Sequence, residues 1–118
     1  MNYDLSINDR PFWAIKAGTK KIEGRTIVRE ENALKYEQMI SGDTLTFNNN
    51  ITGEKMICEI LFIKKYPDVR TMLEVEGVEN VLSSGLDIEG GIKSYNSFED
   101  YEEGIKKYGI YAIGVKKI

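Results

Sequence analysis

The run from about Glu54 to Tyr66 is the feature that most limits how this chain can fold. Met56, Cys58, Ile60 and Phe62 fall on one side of an extended segment; Ile57, Leu61 and Ile63 fall on the other, with Lys55 and Glu59 between them. A strand with one wet face alternates apolar with polar residues. Apolar side chains on both faces predict a strand inside a closed or nearly closed barrel. Pro67 ends the run, because its ring removes the amide that a sheet ladder needs.

The remaining segments build around that strand. Tyr3 to Ile7 alternates like a short strand. Asn8 or Asp9 caps a helix in which Pro11 fits the first turn and Phe12, Ile15 and Lys16 share a face. Gly18 closes it as a left-handed terminal residue. A strand is predicted from about Lys20 to Val28, with Glu23 and Arg25 side by side on one face and Ile22, Gly24, Thr26 and Val28 on the other. Arg29 to Ser41 reads as a loop with a helical turn around Leu34–Ile40. The strand Thr44–Phe47 follows, and Asn48–Gly53 reverses the chain into the long strand. Val69, Met72 and Leu73 mark a short helix, with a second near Val78–Leu82. Ser83 to Ser94 reads as a loop made pliable by Gly90 and Gly91. Ser97 and Asp100 are placed to cap a last helix, along which Phe98, Tyr101, Ile105 and Tyr108 recur, and Ile110–Lys117 is the final strand. The expectation is an α+β fold: one domain over residues 1–118, a small mixed sheet with a few short inserted helices.

Composition removes several chemistries. Among 118 residues there is no histidine and one cysteine, Cys58. Imidazole proton shuttles, Ser-His and Cys-His pairs and His- or multi-Cys metal sites are excluded, and no metal or cofactor enters the reading. Cys58 lies mid-strand and is expected to be an inert buried thiol. No apolar run approaches the roughly 20 residues of a membrane span, and the start resembles no secretion signal, so a soluble cytoplasmic protein is expected. A net charge of −3 disfavours an indiscriminate coat on nucleic acid. The charge is unevenly spread, however. Between Arg10 and Arg29 the bases Arg10, Lys16, Lys20, Lys21, Arg25 and Arg29 face a single acid, Glu23, whereas Asp68 to Glu103 is strongly acidic. This pattern points to a positive face around residues 18–25.

That face contains Gly18-Thr19-Lys20-Lys21-Ile22-Glu23-Gly24-Arg25, which sets a lysine, a carboxylate and a guanidinium at a helix-to-strand junction. On an ordinary surface such pairs contribute about 0–1 kcal/mol and nothing more. In a cleft, Lys20 and Arg25 could hold a phosphate or base edge while Glu23 accepts from an exocyclic amine. Trp13, one helical turn earlier, and Tyr95, just before the last helix, are candidate stacking plates for a base; Phe12 is the better core residue.

The spacing Gly-x-Lys-x-x-Glu-x-Arg resembles the signature of the ASCH domain, a branch of the PUA-like superfamily. Further support comes from Gly42-Asp43-Thr44-Leu45-Thr46-Phe47-Asn48, Ile63-Lys64-Lys65-Tyr66 and Tyr108-Gly109-Ile110-Tyr111-Ala112-Ile113. The resemblance covers the whole chain and implies a PUA-like small mixed β-barrel. It further implies that RNA or a nucleotide-like ligand binds in a cleft lined by Lys20, Glu23 and Arg25, with Lys64 and Lys65 nearby on backbone phosphates. A related branch of acetylcytidine amidohydrolases uses a lysine at the position of Lys20, a threonine nucleophile and a distal glutamate. Here Glu23 occupies the threonine position, and Thr19 and Thr26 are only near it. In an enzyme of that kind, or in a metal-independent ribonuclease, Lys20 would be the catalytic residue. Oligomeric state is not legible.

Overall fold

A computed structural model describes residues 1–29 and 33–118, with the backbone alone at residues 33 and 34. Its elements are β1 (Asn2–Ile7), α1 (Asp9–Ala17), β2 (Ile22–Arg25), α2 (Ala33–Gln38), β3 (Thr44–Asn49), β4 (Lys55–Tyr66), α3 (Val69–Glu76), α4 (Val78–Val81), α5 (Ile88–Asn96), α6 (Tyr101–Tyr108) and β5 (Ile110–Lys117). The five strands form one mixed sheet in the order β1-β3-β4-β5-β2. β1 runs parallel to β3, and every other pairing is antiparallel. β1 and β2 are the two edges, so the barrel is open along one seam.

Two apolar layers sandwich this sheet. Inside the curl, Leu5, Ile7, Leu45, Phe47, Met56, Cys58 and Ile60 pack with Phe12 and Ile15 of α1. On the other side, Val69, Met72, Leu73, Val81, Tyr95 and Ile105 from the helices pack on Ile22, Ile110 and Ala112. β5 is therefore the strand buried on both faces: Tyr111, Ile113 and Val115 join the first layer, Ile110 and Ala112 the second.

This corrects the expectation that β4 would be doubly buried. Ile57 and Leu61 are 53% and 42% exposed. The helices cover only the far end of β4, where Phe62 and Tyr66 join the second layer. An irregularity between Ile60 and Phe62 shifts the register, so Ile63 returns to the inner layer.

Four other expectations change. β2 is four residues long, not nine. Ser83 to Ser94 is not all loop: α5 begins at Ile88, capped by the Asp87 side chain, which accepts from Gly90 N–H at 2.8 Å. Gly91 is a packing residue and not a flexible one, because a Cβ there would lie 2.8 Å from Leu73 Cδ1 and 2.9 Å from Leu82 Cδ1. Ser97 ends α5, its hydroxyl donating to Ser94 O at 2.6 Å, and does not cap α6. α6 starts after Asp100, which adopts φ 65°. The helical turn expected at 34–40 is α2, Ala33–Gln38; the loop expected from Arg29 to Ser41 lies partly outside the described residues. Among the described residues no helix is long and apolar enough to cross a membrane.

Candidate functional site

Gly18 ends α1 with φ 83°, and the chain turns directly into β2. Alternation along β2 then puts Glu23 and Arg25 on one face. Arg25 Nε donates to Glu23 Oε2 at 2.7 Å, and Lys20 Nζ approaches Glu23 Oε1 at 3.4 Å. The three charges converge as their spacing predicts. They are not on a surface: Lys20 is 4% and Glu23 7% exposed.

Every donor of Lys20 is spoken for. Its ammonium bonds Ile22 O at 2.6 Å, Val81 O and the Glu23 carboxylate. Three oxygen acceptors around one nitrogen form the environment of a protonated amine. Burial nevertheless lowers the lysine's pKa, outweighing the pull of Glu23. Burial also pushes Glu23 upward, but Arg25 and Lys20 outweigh it and hold the carboxyl below its usual range. The shorter bond decides the asymmetry, since Arg25 claims the carboxylate more closely than Lys20 does.

Arg25 also closes the seam. Its Nη2 donates to Ser6 O of β1 at 2.6 Å. One guanidinium thereby joins the two edge strands. An outward backbone group of β2 is likewise taken by a side chain. Ile22 O accepts from Lys20, the Tyr95 hydroxyl lies against Gly24, and the Tyr101 ring stacks on that of Tyr95. Burial raises the pKa of both phenols, Tyr101 to about 12, so each keeps its proton at neutral pH. Gly24 is fixed by this contact, because a Cβ there would sit 2.3 Å from Tyr95 Oη.

A cleft of about 490 Å³ opens beside the cluster. Lys20, Glu23, Gly24 and Arg25 line it together with residues from both ends of the seam: Asn8, Arg10 and Pro11 at the start of α1, Ser83 and Ser84 after α4, and Ser94, Tyr95, Phe98 and Tyr101 at the α5–α6 corner. The Tyr95 and Tyr101 rings stack at 6.4 Å, and Phe98 meets Tyr101 edge-on at 5.4 Å. Its charged lining is Arg10, Lys20, Arg25 and Glu23, three bases to one acid, a net +2.

Of the residues singled out in the sequence, Lys20, Glu23, Arg25 and Tyr95 meet in this cleft. Trp13, Lys64 and Lys65 do not line it. Trp13 points outward from α1, with Nε1 donating to Asp9 at 2.9 Å and Lys16 over its ring. Lys64 pairs with Glu76 at 3.6 Å and Lys65 with Glu37 at 4.0 Å. Neither threonine considered as a nucleophile is turned to Lys20: Thr26 donates to Gly109 O and Thr19 to Ala14 O. Sequence reasoning missed Arg10, Phe98 and Tyr101 as lining residues and gave the three serines no role; only the density of bases after Arg10 pointed this way. Among the described residues no group of His, Cys, Asp and Glu is arranged to hold a metal ion.

Comparison with known proteins places this fold in a family. The chain is similar to the hypothetical protein PH0355, known from a crystal structure, with 38% identity, complete coverage of both chains and a TM-score of 0.83. It is also similar to protein PF0455 from Pyrococcus furiosus, known from a solution NMR structure, with 37% identity, 100% and 98% coverage and a TM-score of 0.76. A search of curated proteins finds no match. The curled five-stranded sheet with short helices is a PUA-like fold. Residues 5–118 match the ASCH domain, and the chain belongs to that family.

Proposed function

We propose that this ASCH domain binds RNA or a nucleotide-like ligand, one unit of which enters the seam cleft. The observation that carries the reading is the cleft's lining: net +2 in a chain of net −3, next to a three-ring aromatic corner. A volume of about 490 Å³ suits one nucleotide unit, and it lies within the ordinary range of small-ligand sites. Single-stranded RNA offers such units, because unstacked bases can be laid on aromatic side chains. Phe98 is the ring with room to receive one, being 43% exposed at the cleft wall. Neutral phenols and serine hydroxyls supply donors and acceptors for base edges.

The test is an NMR titration of the ¹⁵N-labelled protein with short unstructured RNA at low salt. Shifts are expected at Ser83, Ser84, Ser94 and Phe98, with Lys64 and Lys65 unmoved. Phe98→Ala is expected to weaken binding by about 1–3 kcal/mol, the usual contribution of one base–aromatic stack. No binding at low salt, or shifts confined to the Lys64–Lys65 face, would sink the proposal.

A further inference from the structure

We infer that Arg10 binds the anionic part of the cleft's ligand, a phosphate of the nucleotide unit, while Lys20 and Arg25 hold the cleft together without contacting that phosphate. This rests on the nucleotide reading above and assigns its charge recognition to one residue.

The argument is an accounting of donors. Lys20 spends its three N–H groups on Ile22 O, Val81 O and Glu23. Arg25 is committed to Glu23 and Ser6 O. A phosphate recruited by either would have to break bonds that fasten β2 to α4 or to β1. Glu23 also lies between the two cations, and its buried charge opposes a second anion there.

Arg10 differs on each point. It lies in the first turn of α1, is exposed, and lines the cleft. Among the described residues it has no ion-pair partner within 4.0 Å. The adjacent carboxylate, Asp9, is engaged elsewhere: its Oδ1 accepts from Trp13 Nε1 and from Asn49 Nδ2, each at 2.9 Å. The outward-turned indole thus acquires a role, helping to hold the Asp9 carboxylate away from direct pairing with Arg10. A guanidinium with its fork unspent is the group best suited to a phosphate. The Ser83 and Ser84 hydroxyls share the lining and can complete the coordination.

The experiment measures the affinities of the four ribonucleosides and their 5′-monophosphates for the wild-type chain, Arg10→Ala and Arg10→Lys. At least one monophosphate should bind the wild type on the order of tenfold more tightly than its nucleoside, the scale of one charge-assisted hydrogen bond. That preference should collapse in Arg10→Ala and return in part in Arg10→Lys. Because Arg10 is exposed, unchanged urea unfolding curves should accompany the loss. A preference that survives in Arg10→Ala overturns the inference and leaves the nucleotide reading standing. If neither the eight compounds nor unstructured RNA binds the wild type, the reading falls, and the inference with it.

Discussion

Of the clusters that pair lysine with glutamate, two differ in burial, and burial separates their roles. Lys20, Glu23 and Arg25 lie at the seam, the lysine and carboxylate almost sealed from water. Lys64 and Lys65 lie at the end of β4, side chains 53% and 54% exposed, paired with Glu76 and Glu37 at longer range. Tyr66 and Tyr111 donate to those same carboxylates. In the second cluster water can replace the partner of either exposed lysine, although the Glu76 side chain itself is only 9% exposed. In the buried one each charge depends on the others, so the geometry is fixed. The difference teaches that like charges in sequence become architecture in one place and surface in another, according to what covers them.

The comparison breaks most sharply at Glu23. Glu23→Gln leaves two cations without their shared counterion, and a buried pair broken on one side costs about 3–5 kcal/mol. Urea unfolding at pH 7 measures it, and a loss under 1 kcal/mol would erase the contrast between the clusters. Acid offers a milder form of the same change. Glu23's folded pKa lies below its ordinary 4.5, so its stabilisation is complete above 4.5 and is lost as pH falls through the lower folded value. Stability should therefore fall more steeply below pH 4.5 in the wild type than in Glu23→Gln, which has no carboxyl at that position to titrate.

Gly24→Ala comes next, at about 1–3 kcal/mol, because its Cβ would drive into the Tyr95 hydroxyl. Adding Tyr95→Phe removes the nearest of the atoms it strikes, leaving Cζ at 2.9 Å, so the double variant should lose less than the sum of the singles; strict additivity would refute the contact. Smallest is the exposed cluster. Lys64→Ala and Lys65→Ala should each change stability by about 0–1 kcal/mol, less at high salt. A larger, salt-insensitive loss would make the two clusters equivalent.

The seam cluster was legible because its geometry is local. Period-two alternation sets Glu23 beside Arg25, and a lysine stem reaches three residues along. Tyr95 was reached by weaker means, as an aromatic near glycines, and the supposed loop there is α5. Arg10, Phe98 and Tyr101 were not legible, since tertiary closure brings α1 and the α5–α6 corner to the same hollow. The same limit hid which strand is doubly buried. β4 and β5 are both rich in apolar residues, but helix placement, not the strand's own composition, decides which has two covered faces. Trp13 shows local reading stopping halfway. Adjacent helix positions diverge, so Phe12 is core and Trp13 is not, but only Asp9 determines where the indole goes.

The side chains that crowd the outward edge of β2 have a consequence for how copies of this chain meet one another. An edge strand with bare amides and carbonyls is a template on which a neighbour can extend the sheet, and chains so exposed tend to aggregate. Here the Lys20 ammonium occupies Ile22 O and the Tyr95 hydroxyl crowds the edge at Gly24. Residues that shape the hollow therefore also blunt this edge, and trimming them would cost solubility.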